Sequence, residues 1–141
     1  MGIDNGQWLM INGQKYMKYI TFEQIPVWQD SHKLTIDVYK LTRTFPADEK
    51  YSLVSQLRRS VSSVSANIVE GFYRRTTKDL QGFLYNSRGS AGETCYHLLL
   101  ARDLGYLEPE QYNRLYDNTD NIIRQLSAWI KTLNSQKEIR K

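Results

Sequence analysis

The sequence predicts an all-α protein: an antiparallel up-down-up-down four-helix bundle with a short N-terminal extension. Three observations predict it. Apolar residues recur every three or four positions over four long segments, prolines and glycines stand at the segment ends, and the connections are short. Hydrophobic residues make up 40% and charged residues 24% of the 141 positions, as is usual for a globular domain that buries one core.

Residues 1–21 form the extension and lack the helical pattern. Two short apolar stretches flank Asn12-Gly13, a pair that suits a tight type I′ turn, so a short hairpin is one interpretation. An isolated two-stranded hairpin is marginally stable in water, and a flexible tail is the other interpretation. The bundle is predicted over 22–133. The basic tail 134–141 has little to bury and is expected to fray.

The first helix is predicted from Pro26, which suits an opening turn, to about Arg43, ahead of Pro46. Its apolar register is interrupted by Ser31, and His32 beside it is expected to be partly buried. The second helix is predicted over 52–72. The apolar positions are Val27, Leu34, Val38, Leu41 and Phe45 in the first helix, and Leu53, Leu57, Val61, Val64, Ile68 and Phe72 in the second.

The third helix opens at Thr76 or Thr77, which are good N-cap residues, and ends at Gly105, a natural residue for the position after a helix. The fourth helix is predicted over 109–133. The register is Leu80, Leu84, Ser87, Ala91, Cys95 and Leu98 in the third helix, and Tyr112, Leu115, Tyr116, Thr119, Ile122, Ile123, Leu126, Trp129, Ile130 and Leu133 in the fourth.

A polar line runs along the second helix on the side away from its apolar stripe. Its members are Arg59, Ser63, Asn67, Glu70 and Arg74. One interpretation is a solvated face with a Glu70–Arg74 pair worth a few tenths of a kcal/mol. The other is a polar seam between protomers, in which Asn67 and Glu70 fix the register of association.

The third helix contains Gly82, Gly89 and Gly92, and each interior glycine costs about 1 kcal/mol relative to alanine. Gly89 and Gly92 lie between Tyr85 and Tyr96 in a stripe opposite the apolar register. Small residues flanked by tyrosines suit the close approach of another helix, so a packing role is favoured over glycines that are merely tolerated.

Basic residues concentrate in the central half of the chain. Residues 50–105 carry eight basic and four acidic side chains, an excess equal to the net charge of +4. Arg74, Arg75 and Lys78 cluster with Tyr73 at the turn between the second and third helices. They suit phosphate contacts with a stacked base, or form a solvated turn. Repetition around an oligomer would turn a weak patch into an electrostatic collar.

The sequence contains no recognisable catalytic, metal or cofactor motif. No Glu-x-x-His pair of a di-iron bundle is present, and the Glu93–His97 spacing is more typical of a local surface pair. No nucleotide-binding glycine motif or zinc spacing occurs. We expect a non-enzymatic protein without a cofactor. The lone Cys95 and the lack of a membrane-spanning run or secretory leader favour the cytoplasm.

Several sequence motifs lie between the end of the first predicted helix and the middle of the third. They are Phe45-Pro46, Glu49-Lys50-Tyr51 with Leu53, Gln56-Leu57-Arg58-Arg59, Ser65-Ala66-Asn67-Ile68-Val69-Glu70-Gly71-Phe72, Phe83-Leu84 and Arg88-Gly89-Ser90 with Glu93. These motifs resemble the bacterial four-helix-bundle proteins encoded by 23S rRNA intervening sequences, which have also been labelled ribosomal proteins. The similarity covers about 25–133, and Ser31-His32 departs from the family's usual apolar turn.

The resemblance implies a homopentamer with a central channel. More distantly, the chain is similar to the accessory protein of diversity-generating retroelements, a pentamer that partners a reverse transcriptase and binds nucleic acid. The family's signature positions would be Asn67, Glu70, Arg88, Ser90 and Glu93. The oligomer interface is then predicted at Asn67, Glu70, Tyr85, Gly89, Ser90, Gly92, Glu93 and Tyr96.

Two functional hypotheses follow. The first is a homo-oligomeric scaffold that binds structured RNA or a ribonucleoprotein. The second is an accessory subunit that docks a larger enzyme, such as a reverse transcriptase, without a direct nucleic-acid role. The residues predicted to bind nucleic acid under the first are Arg58, Arg59, Tyr73, Arg74, Arg75, Lys78 and Arg88.

Overall fold

The computed structural model describes the backbone of residues 3–4, 8–11 and 14–139, and the side chains of residues 18–135. Contacts join each of the four α-helices to the next one along the chain and join the first to the last, which closes a four-helix bundle and confirms the predicted fold. The helices are α1 (Pro26–Thr42), α2 (Leu53–Phe72), α3 (Thr77–Asp103) and α4 (Pro109–Ile139).

A small antiparallel sheet precedes the bundle. Its strands β1 (Ile3–Asp4), β2 (Trp8–Ile11) and β3 (Gln14–Met17) follow one another in space as in sequence. Strands β2 and β3 pair from Trp8 opposite Met17 to Ile11 opposite Gln14, which brackets the predicted hairpin turn. The turn residues Asn12 and Gly13 lie outside the described residues.

Local chemistry sets the helix boundaries much as predicted. Pro26 occupies the first turn of α1, and the Thr76 hydroxyl accepts a hydrogen bond from the Asp79 backbone N–H at 3.1 Å to cap α3. Gly105 follows α3 with a φ of 81°, a left-handed conformation that favours glycine. Short 3₁₀ turns at 22–24 and 47–49 lead into α1 and α2.

Helix α4 continues to Ile139, past the predicted end at Leu133. Neither proline nor glycine interrupts the sequence beyond Leu133, so the backbone has no local reason to leave the helix. Gln81 of α3 also donates a hydrogen bond to the Asn134 side chain, which holds this turn of α4 against α3.

Small hydroxyl residues occupy central positions of the core. Ser31, predicted as a polar interruption, is fully buried, and its hydroxyl lies 2.8 Å from that of Ser65 on α2. The buried Ser87 hydroxyl donates to the Val64 carbonyl at 2.8 Å. Since these groups find partners across the helix contacts, burying them leaves no unsatisfied hydroxyl and lets α2 approach both neighbours.

Three predictions of burial are wrong in detail, and one of them is Tyr116, which was placed in the apolar register of the fourth helix and is exposed. His32 is exposed rather than partly buried, because it lies on the outer side of α1, where its ring stacks on Trp28. Cys95 is only partly buried, and Thr94 is the fully buried residue of this turn. The Thr94 hydroxyl donates to Ser60 of α2 at 2.9 Å, so α3 is rotated slightly towards α2 relative to the predicted register.

Candidate nucleic-acid and oligomer surfaces

The turn between α2 and α3 brings together four of the residues predicted to bind nucleic acid. Tyr73 is 67% exposed, and the Arg74 guanidinium lies over the Phe83 ring at 4.7 Å. Arg75 and Lys78 are exposed, and neither forms an ion pair within the part of the chain that the structure describes. Their charges are therefore available to an anionic partner.

The other predicted basic residues lie on different flanks of the bundle. Arg58 faces α1, where its Nε donates to the Thr42 hydroxyl at 2.9 Å and its guanidinium lies over Tyr39. Arg88 lies at the border with α4, over the Tyr85 ring at 5.0 Å and 3.3 Å from the Ser127 hydroxyl. The seven predicted residues thus do not form one continuous patch.

Arg59 joins α2 to α3 through an ion pair that the sequence does not reveal. Its Nη2 lies 2.8 Å from Glu93 Oε1 and also donates to the Gln56 side chain. The two charged side chains are 57% and 38% exposed, so the pair is worth between about 0 and 1 kcal/mol. Glu93 also lies 3.4 Å from His97 Nε2, the local pair expected from their spacing.

The polar line of α2 lies along its groove with α3. Asn67 is partly buried and its amide donates to the Ser63 carbonyl at 2.8 Å. Glu70 is exposed, but the expected Glu70–Arg74 ion pair is absent among the described side chains because Arg74 stacks on Phe83. Part of this line is therefore used in contacts within the chain.

The outer face of α3 carries the predicted glycine–tyrosine stripe. Tyr85 and Tyr96 are 43% and 58% exposed, and Gly89 and Gly92 between them are exposed as well. A methyl group added at either glycine would meet no atom within 4 Å. Packing within the chain therefore does not require these glycines, and no contact within the chain offsets their helix-propensity cost.

An aromatic cluster at the base of α1 was not anticipated from the sequence. The ring of Phe22 lies edge-on to Trp28 at 5.0 Å and edge-on to Tyr73 at 6.4 Å. Trp28 and His32 stack with their planes 9° apart at 4.8 Å. Their four-residue spacing on one helix was a signal for this stack, but the contact with Tyr73 depends on how α1 and α2 meet.

The described side chains offer no metal site. No group of three His, Cys, Asp or Glu side chains converges in that part of the chain. Burial and, to a lesser degree, the Asp120 charge raise the pKa of the Cys95 thiol to about 11, which makes it a poor nucleophile near neutral pH. Among the helices that the structure describes, none combines the length and apolarity needed to cross a bilayer.

The family model of the 23S rRNA-intervening sequence protein matches residues 23–128, a region that begins in the turn before α1 and ends within α4. The chain belongs to this family. The resemblance found in its motifs is thereby confirmed, whereas the distant similarity to the retroelement accessory protein stays a prediction.

One solved structure similar to this intervening-sequence protein is a protein with unknown function from the S23 ribosomal protein family of Bacteroides thetaiotaomicron VPI-5482. The two chains are 26% identical with a TM-score of 0.70, over 74% of this chain and 98% of that chain. No curated protein matches the chain.

Proposed function

We propose that the chain is a non-enzymatic cytoplasmic scaffold that assembles with copies of itself, as a homopentamer, and binds structured RNA or a ribonucleoprotein through basic surface residues. The observation that carries the RNA part is the α2–α3 turn, where Arg75 and Lys78 are exposed without an ion partner among the described residues and Arg74 and Tyr73 lie beside them.

The assembly part of the proposal depends on the outer face of α3. Its exposed glycines cost helix stability and serve no packing purpose within the protomer. A second helix or backbone can approach such a face closely, and Tyr85 and Tyr96 supply apolar area at low entropic cost on either side. Contacts with a second copy of the chain on this face would offset the helix stability that the glycines cost.

The RNA part is tested by replacing Arg74, Arg75 and Lys78 together by alanine. We expect the affinity for a structured RNA to fall about tenfold or more near 0.1 M salt. The slope of log affinity against log salt should become shallower by roughly 2 to 3, because three phosphate contacts are lost. Fluorescence anisotropy over a salt series measures both quantities.

The matched control is a variant that loses the same charge from exposed positions of α1 and of the residue after it: Lys33→Ala, Lys40→Ala and Arg43→Ala. It should bind nearly as well as the wild type. Equal losses in the two variants would mean that net charge, and not this turn, sets the affinity. A wild-type interaction that does not weaken with salt would favour the docking of a larger protein and contradict the RNA proposal.

A further inference from the structure

The aromatic cluster and the basic turn form one continuous surface at one end of the bundle. Helix α2 ends and α1 begins at this end, which places Tyr73 edge-on to Phe22 at 6.4 Å. From Phe22 the chain of ring contacts continues through Trp28 to His32. We call this the aromatic platform, with residues Phe22, Trp28, His32 and Tyr73.

The rings at the two ends of the platform are open. His32 is exposed, and its ring stacks on one face of the half-buried Trp28. Tyr73 is 67% exposed although it lies among aromatic neighbours that could have covered it. Exposed aromatic rings held in place by other rings are available to a planar ligand.

Basic side chains adjoin this surface. Arg74, Arg75 and Lys78 lie on the turn that follows Tyr73, and the acidic residues Glu23, Glu70 and Asp79 lie in the neighbouring turns of the chain. Arg75 and Lys78 are exposed and form no ion pair among the described side chains. These two free cations beside exposed rings suit an anionic partner that also carries flat apolar groups.

We infer that the aromatic platform binds unpaired RNA bases, with Tyr73 and His32 as stacking residues and the basic turn as the phosphate contact. This inference deepens the proposed function and rests on it. Single-stranded nucleic acid offers both base faces and phosphates, and proteins that bind it combine aromatic rings with a cationic path. The bases of a duplex are stacked on each other, so only its phosphates would be engaged.

The test compares a labelled single-stranded oligouridine with a short RNA duplex by fluorescence anisotropy. Tyr73→Ala should weaken binding of the single strand by about fivefold or more, because one base stack contributes roughly 1–3 kcal/mol, and should change duplex binding by less than about twofold. Tyr73→Phe retains the ring and should bind the single strand like the wild type.

Tyr51→Ala is the matched control. Tyr51 is 87% exposed and, like Tyr73, has a basic residue beside it, because the Lys50 ammonium lies over its ring. Tyr51 precedes α2 and therefore lies at the opposite end of the bundle from Tyr73. Its loss should leave both affinities unchanged. If the Tyr73→Ala variant binds the single strand with wild-type affinity, or loses the same affinity for both RNAs, the aromatic platform does not bind bases. The proposed phosphate contacts of the basic turn would not be affected by that result. Failure of the wild type to bind either RNA would overturn the proposed function itself.

Discussion

Replacing Gly89 by leucine distinguishes two effects of the glycine stripe: its cost to helix stability and its proposed contact with a second copy of the chain. A Cβ added there meets no atom within 4 Å and the position is exposed, so we expect the fold of a single chain to accept a larger side chain. Leucine is a far better helix former than glycine, and we expect the isolated protomer to gain up to about 1 kcal/mol. For 141 residues this corresponds to a rise in Tm of about 3 °C.

The same substitution should disrupt the assembly. If a second copy packs between Tyr85 and Tyr96, the added isobutyl group occupies the space that glycine leaves for its backbone. Sedimentation velocity should show an oligomer for the wild type and protomers for Gly89→Leu, while circular dichroism shows undiminished helix content. Asn113→Leu adds the same group to an exposed position of α4 and should leave the oligomer intact.

Two results would refute this reasoning. One is a Gly89→Leu protein that sediments like the wild-type oligomer, because the glycine–tyrosine stripe of α3 would then not be the contact between copies. The other is a wild type that remains a single protomer at high concentration. A variant that loses helix content would instead contradict the open space found around Gly89.

The remaining predictions concern the core and the thiol. Gly71→Ala should destabilise the protein by about 1 kcal/mol in urea unfolding, because its methyl group would lie 3.0 Å from Leu80 Cδ1 and 3.1 Å from Phe83 Cβ. Gly82→Ala is the control, since its methyl group has open space and should stabilise the helix. Equal shifts of the two unfolding midpoints would contradict the close packing at Gly71. Alkylation of Cys95 by iodoacetamide should be slow at pH 8 and accelerate about tenfold per pH unit towards pH 11, since only the thiolate reacts and its pKa is raised to about 11. A rate that levels off near pH 9 would show an ordinary thiol.

Sequence patterns predicted the helix boundaries where a residue acts on its own backbone. Pro26, Thr76 and Gly105 mark helix ends through ring geometry, side-chain capping and a left-handed φ, and each acts locally. The end of α4 was missed because nothing in the sequence stops the helix at Leu133, and its continuation is supported by a contact from Gln81 on another helix.

Contacts between helices account for the other differences. Ser31 breaks the apolar pattern in the sequence but is fully buried, because Ser65 of α2 supplies a partner for its hydroxyl. Arg59 pairs with Glu93 across 34 positions of sequence, a contact set by the rotation of two helices about their axes. Spacing along one helix identifies which residues share a face, and it does not identify what the neighbouring helix presents there.

The position of the two candidate surfaces links assembly to RNA affinity. The glycine–tyrosine stripe lies on the outer side of α3, while the basic turn and the aromatic platform lie at one end of the bundle. A ring whose axis runs along the helices would place the basic turns of all copies at the same end, whereas a two-fold dimer with its axis across the helices would place them at opposite ends. Only the first arrangement presents the turns together to one RNA, where linked sites bind more tightly than separate ones. Gly89→Leu should therefore weaken binding of a long RNA without altering any basic residue, and an unchanged affinity would show that each protomer acts alone.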